Sequence, residues 1–220
     1  MPEQFRCELV SWNKMYNMTR LLAAKIKQQG FAPDMIVAIA RGGCIPARIL
    51  CDHLDISRLT TIQVTHYESG ASKKKSAHLI EALRADIRGS KVLIVDDVND
   101  TGQTLELALQ HMQSFHPAEA RVAVLHDKQV STFSPDFYVA KVRKWRWIIY
   151  PWAVIEDVGG LLGRRATRPA TPAEAAQVFA QEFACRLPRQ IVEDVYALAG
   201  WTEPPADRCV SILQTAQKSK

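Results

Sequence analysis

The 220-residue chain is short of cysteine and has neither a long apolar run nor an internal repeat, and each shortage narrows what it can be. Its five cysteines (Cys7, Cys44, Cys51, Cys185, Cys209) are odd in number, scattered, and form no CxxC pair or metal-ligand spacing. That excludes a disulfide framework or structural zinc site and leads us to expect free thiols in a reducing cytoplasm. No stretch approaches the roughly 18–20 uninterrupted apolar residues of a membrane span. The best run, Trp147 to Tyr150 with Trp152 to Ile155, is broken by Pro151. Met1 to Arg6 holds no apolar signal core, so no export signal is expected. With 47% hydrophobic and 23% charged residues, wholesale disorder is excluded as well.

What is there begins with charge. The chain carries 28 Lys+Arg against 23 Asp+Glu, a net charge of +5, with a pI near 9.0. From residue 171 onward, five basic residues (Arg186, Arg189, Arg208, Lys218, Lys220) meet six acidic ones (Glu174, Glu182, Glu193, Asp194, Glu203, Asp207), a net of −1. The first 170 residues therefore hold +6, which suits an anionic ligand or nucleic acid and equally a solvated basic surface.

Helical periodicity runs from Ser11 to Gln29 (Trp12, Met15, Leu22, Ile26) and stops at Gly30. Met35–Ala40 reads as a buried strand, followed by Arg41-Gly42-Gly43 and a helix from Ile45 to about Leu54 with Pro46 in its first turn. Thr60–His66 is a second strand, and Tyr67 to Ser76 a polar loop. Ala77–Asp86 has a pattern that passes for a helix. Lys91–Val95 is a buried strand ended by Asp96-Asp97, and Gly102–Phe115 a helix. Ala120–Leu125, Phe137–Val142 and Arg146–Tyr150 complete the strands. Strands alternating with helices predict an α/β fold with parallel pairing, whose ligands bind at the carboxyl ends of the strands. After Arg164-Arg165-Ala166-Thr167-Arg168 the composition turns Ala- and Pro-rich and helical. A capping box opens at Thr171-Pro172-Ala173-Glu174, a second helix spans about Pro188–Leu198, and a third follows Pro204-Pro205. We therefore divide the chain into a core, 1–167, and a C-terminal helical extension, 168–220. The extension's charge does not point to DNA binding.

The stretch richest in chemistry is Val92 to Leu105, VLIVDDVNDTGQTL. A buried strand delivers two adjacent carboxylates to its end, and a turn of small residues opens a helix. Asp100 to Thr104 supplies backbone N–H groups, two hydroxyls and a helix N-terminus, all suited to a phosphate. Carboxylates just ahead of such a cradle suit vicinal hydroxyls and, through them, Mg²⁺. The ligand so described is a ribose 5-phosphate. No GxxxxGK[ST] loop is present, so this is not a nucleoside-triphosphate P-loop.

Asp96 to Leu105 resembles the signature of type I phosphoribosyltransferases, which bind 5-phosphoribosyl-1-pyrophosphate (PRPP). Val37 to Pro46 is similar to the pyrophosphate loop of the xanthine-guanine members, and Trp145 to Trp152 to their base-binding segment. His66-Tyr67 stands where the family's mobile catalytic loop begins. The resemblance spans about residues 8–160.

It implies a core with a central, mostly parallel sheet flanked by helices, a small hood, and the helical extension. It implies transfer of phosphoribose from PRPP to N9 of a 6-oxopurine (guanine, xanthine or hypoxanthine), with Mg²⁺, in a cytoplasmic homodimer or homotetramer that engages no membrane. Asp96 and Asp97 would hold the ribose hydroxyls and the metal, and Asp100 would sit near purine N7. Thr101, Gly102, Gln103 and Thr104 would grip the 5-phosphate. Arg41 and Gly42 would contact pyrophosphate, with a cis peptide at Ala40–Arg41. Lys128 would read the 6-oxo group, Trp147 would stack on the base, and the carbonyl of Ile148 would read an exocyclic group. Tyr67 and the loop to Ser76 would close over the reaction. For Ala77–Asp86 the family places a strand, which we follow over the helical pattern. One departure is Ala153, where the xanthine-guanine enzymes carry a metal-holding acid; Glu156 and Asp157 stand nearby. Two alternatives stay open: a PRPP-binding regulator acting on nucleic acid, and an enzyme for adenine or another base.

Overall fold

A computed structural model of the chain describes residues 5–68 and 75–201, with the side chains of 66–68 and 75–76 left aside. In chain order the elements are β1 (Arg6–Leu9), α1 (Trp12–Gln28), β2 (Met35–Ala40), α2 (Cys44–Leu54), β3 (Leu59–Glu68), β4 (Lys75–Glu81) and β5 (Lys91–Asn99). There follow α3 (Gln103–Gln113), β6 (Glu119–Lys128), β7 (Phe137–Val142), β8 (Arg146–Ile149), α4 (Val154–Gly163), α5 (Pro172–Phe183) and α6 (Arg189–Leu198). They fall into two compact units, residues 12–145 and residues 1–11 with 146–220. Among the described residues no helix is long and apolar enough to cross a membrane.

In the 12–145 unit six strands form one sheet in the order β4-β3-β2-β5-β6-β7, parallel throughout except for the antiparallel β3–β4 pair. The continuous apolar runs of β2 and β5 mark strands covered on both faces. Because side chains alternate, Val37, Ile39, Val92, Ile94, Val122 and Val124 share one face and cluster with Leu105, Ala108 and Met112 of α3. The buried Ile36, Ala38, Leu93 and Val95 take the opposite face, which α1 and α2 cover.

The helical pattern over 77–86 gives way to the edge strand β4, as the family resemblance implied. Leu79, Leu83 and Ile87 recur every four residues, yet all three reach the α3-side core: one from β4, two from the turn beyond it. The Leu83 N–H donates to His111 Nε2 at 3.0 Å, which ties that turn to α3.

The other unit is built on a two-stranded parallel sheet, β1 with β8, in which Cys7 pairs with Trp147 and Glu8 with Ile148. Cys7, Ile149, Val158 and Leu162 share a core with Ala175, Phe179, Val192, Val195 and Tyr196. Neither β1 nor α4 was legible in the sequence: β1 has four residues, and α4 contains Gly159, Gly160 and Gly163, which weigh against a helix. The capping box at Thr171 forms, its hydroxyl accepting from Glu174 N at 3.2 Å. The Glu174 carboxylate reaches back to Ala170 N, one residue beyond the Thr171 N–H of the ideal motif. The helix expected after Pro205 lies outside the described residues, as do residues 69–74 of the loop expected over Tyr67–Ser76, whose ends are strand: Tyr67 and Glu68 in β3, Lys75 and Ser76 in β4.

Candidate functional site

The residues of the 12–145 unit expected to carry chemistry gather at the carboxyl ends of β2, β5 and β6. Parallel pairing of β2 with β5 sets Ala38 beside Val95, so the loop after β2 and the acidic pair ending β5 emerge together. The Ala40–Arg41 peptide is cis, as the resemblance implied. Gly42 and Gly43 are there because nothing larger fits. A Cβ on Gly43 would run into the Val95 carbonyl and the backbone of Ile39, and one on Gly42 would run into the Asp97 carboxylate. The Arg41-Gly42 loop and the acidic pair thus form one surface.

Asp96 is buried, and its Oδ1 accepts the Asp97 N–H at 2.9 Å. Burial holds its carboxyl well above the ordinary range, and the neighbouring Asp97 charge adds to that rise against the opposing backbone hydrogen bond. Two carboxylates crowded at a desolvated strand end make a setting that favours a cation or hydroxyl donors.

Beyond them Asn99 is buried, and Thr101 and Gln103 are exposed. Gly102 caps α3 with φ +96°, a left-handed conformation open to glycine. No side chain caps that helix end, so the first N–H groups of α3 lack a side-chain cap. Thr104 lies half-buried in the first turn.

Asp100 is held by side chains from two other segments. Lys128, with a side chain only 3% exposed, forms an ion pair from Nζ to Asp100 Oδ2 at 2.9 Å. Trp145 donates from Nε1 to Asp100 Oδ1 at 3.1 Å, and the Lys128 ammonium lies 4.4 Å from the Trp145 ring centroid.

Two groups of residues escaped the sequence reading. Trp145 opens the segment that resembles the base-binding stretch, and the resemblance assigns it no role. The second is a buried network behind the turn between β5 and α3. Asn99 Nδ2 donates to Asp127 Oδ1 and to the Phe133 carbonyl, both at 2.8 Å, and its Oδ1 accepts from the Ser131 hydroxyl at 2.8 Å. Lys141 pairs with Asp127 Oδ2 at 2.6 Å. Thr132 donates to the Thr101 carbonyl from its hydroxyl at 3.2 Å, while Phe133 stands where a Gly102 Cβ would go. The 131–133 segment therefore braces the turn from behind. The signal was register: Asn99 pairs with Asp127 across β5–β6, a relation invisible until the strands are aligned.

Trp147 and Ile148 belong to the other unit. Ile148 is buried, and Trp147 lines a cavity of about 190 Å³ with Glu156, Asp157, Gly160, Leu161 and Arg164. Ala153 caps α4, and Glu156 and Asp157 stand in its first turn. Burial pushes the Asp157 carboxyl up to about 6, the neighbouring Trp147 indole N–H works against that shift, and the Glu156 charge adds to it. Tyr67 lies in β3 opposite Ser76, and its side chain is outside the described residues. Among the described residues no three His, Cys, Asp or Glu side chains converge as a preformed metal cluster.

Residues 8–156 match the family described as the phosphoribosyl transferase domain. Over 153 residues the chain is 36% identical to the xanthine-guanine phosphoribosyltransferase of Roseobacter denitrificans, covering 65% of this chain and 83% of that one. Among solved structures it is similar to a purine phosphoribosyltransferase from Pyrococcus horikoshii: TM-score 0.59, 33% identity, 66% of this chain and 93% of that one. A protein from Neisseria gonorrhoeae solved with bound ppGpp matches with TM-score 0.62 and 28% identity, covering 68% of this chain and 90% of that one.

Proposed function

We propose that this chain, which belongs to the phosphoribosyltransferase family, transfers the 5-phosphoribosyl group of PRPP to N9 of a 6-oxopurine and releases pyrophosphate, the reaction of purine salvage. The observation that carries the reading is the meeting of three parts in one unit: Gly42 against Asp97, the open start of α3, and Asp100 paired with the buried Lys128.

In this reading the α3 N-terminus and residues Thr101, Gly102, Gln103 and Thr104 hold the 5-phosphate, while Asp96 and Asp97 hold the ribose hydroxyls. Arg41 and Gly42 hold the pyrophosphate. As the purine N9 bonds to C1 of the ribose, the C1–oxygen bond to pyrophosphate breaks, and the proton on the imidazole ring passes toward the Asp100 carboxylate. Lys128 reads the 6-oxo group from beside Asp100. Trp147 and Ile148 are assigned to the base, and Tyr67 to the lid, on the family pattern alone. The guanine nucleotide on the Neisseria protein supports guanine among the accepted bases.

Asp96 and Asp97 fit Mg²⁺: they offer adjacent hard oxygens whose mutual repulsion a divalent cation relieves. They fill only part of an octahedral shell, leaving positions for ribose, diphosphate and water oxygens. When bound, Mg²⁺ neutralises charge on the departing pyrophosphate. We further propose that the catalytic residues all lie within residues 1–167, with a cytoplasmic location and a homodimer or homotetramer.

The test is pyrophosphate release from PRPP and Mg²⁺ with guanine, xanthine, hypoxanthine, adenine and uracil in turn. Turnover confined to 6-oxopurines, with Asp100→Asn cutting kcat by about 10²-fold or more while PRPP binding persists, is the expected result. PRPP bound with no base turned over would instead favour a PRPP-sensing regulator. No calorimetric heat with PRPP and Mg²⁺ would remove the reading altogether.

A further inference from the structure

We propose that Trp145 is a positioning residue for this reaction, fixing the plane of the Asp100 carboxylate so that one edge faces the base. The inference rests on the role given to Asp100 above.

Asp100 stands just past the end of β5 in a short turn, its side chain 36% exposed. Alone, a carboxylate there turns freely about its terminal torsion. Lys128 does not stop that rotation. An ammonium is a compact charge with three rotatable donors, which holds a carboxylate close without setting its plane. The indole of Trp145 differs, because its single N–H points in one direction from a rigid ring with two side-chain torsions. With Nε1 on Oδ1 at 3.1 Å and Lys128 Nζ on Oδ2 at 2.9 Å, both oxygens are tied from different residues and the plane is set.

The same ring steadies the other partner. Its π face lies 4.4 Å from the Lys128 ammonium, which favours the cation where burial penalises it. Trp145 thus touches both ends of the ion pair, donating to the carboxylate and setting its ring beside the ammonium. A carboxylate has about four lone-pair sites, so two donors leave acceptor capacity for an N–H of the purine. Replacing the N–H leaves Asp100 paired with Lys128 and free to turn, so the reactive geometry is sampled only part of the time.

The experiment uses the full-length chain with three variants, Trp145→Phe, Trp145→His and Asp100→Asn, and the double variant W145F/D100N. W145F should lower kcat about tenfold at saturating PRPP and base, with KM for PRPP changed less than about twofold. W145H, which restores an N–H donor, should recover most of that loss. In the D100N background W145F should cost almost nothing more, because the group it positions is gone. Independently of turnover, the indole ¹H–¹⁵N resonance that disappears in W145F should move upfield in D100N.

Equal losses from W145F in both backgrounds, no rescue by histidine, or an indole resonance unmoved by D100N would each overturn the proposal. Should W145F not fold, W145H kinetics and the D100N spectrum decide it by the same criteria. An active wild type with an unaffected W145F sinks this inference alone, whereas a wild type that turns over no base sinks the functional reading and this inference with it.

Discussion

Gly42 and Gly43 are neighbours, yet a methyl group on each would meet a different kind of obstacle. At Gly43 it meets main chain, the carbonyl of Val95 and the backbone of Ile39, at the centre of the sheet where neither strand can retreat. At Gly42 it meets a side chain, the carboxylate of Asp97, which can swing aside at the cost of its position. Gly43→Ala should therefore cost about 2–3 kcal/mol or more of folding stability. Gly42→Ala should melt close to the wild type while weakening PRPP binding about tenfold or more, because the displaced carboxylate is a ribose and metal ligand in our reading. Thermal melts and PRPP titrations on both variants measure the split. A G42A protein with wild-type PRPP affinity would show that Asp97 does not serve that ligand.

At the scale of elements, legibility followed the strength of the local signal. β2, β5 and α3 were plain, because continuous apolar runs and a glycine-opened helix leave few alternatives, and the gathering of candidate residues at their ends was legible with them. β4 was ambiguous, since a four-residue spacing fits a helix as well as a strand whose turn folds back into the core. α4 was missed because its three glycines contradict local propensity, and its stability comes from Val158 and Leu162 packing on tertiary partners. That helix start also holds a measurable charge conflict. A carboxylate in a first turn gains from the helix dipole, but at Asp157 burial wins, and the acid titrates near 6 rather than at its ordinary 3.8. The folded state keeps the proton longer than the unfolded chain, so this group's contribution is fully present below about 3.8 and fades as pH rises through about 6. Asp157→Asn, neutral at every pH, should match the wild type near pH 4. Above pH 6.5 it should be more stable by about 1–2 kcal/mol, a figure reduced for the group's partial exposure. Denaturation across pH 4–8 reads this directly, and a constant gap between the two proteins over that range would count against it.

For the whole molecule, the compositional break near residue 167 is not a break in packing. Ala175, Phe179, Val192, Val195 and Tyr196 lie beyond it, and they bury their side chains with Cys7, Ile149, Val158 and Leu162, which lie before it. Tyr196 adds a hydrogen bond to the Pro169 carbonyl at 2.7 Å. Amphipathic spacing in α5 and α6 was readable from the sequence, but what their apolar faces cover was not. The answer, a two-stranded sheet whose members β1 and β8 are about 140 residues apart, is a long-range pairing with no local signature. It follows that the extension is structural for the unit that carries Trp147. Each large apolar side chain left uncovered costs about 1.5–3 kcal/mol, and several would be uncovered together. A chain ending at residue 167 should therefore bind a hydrophobic dye, precipitate at moderate concentration and lose the melting transition of that unit. A detachable appendage would behave otherwise: residues 1–167 would stay soluble and melt at the temperature of the full chain.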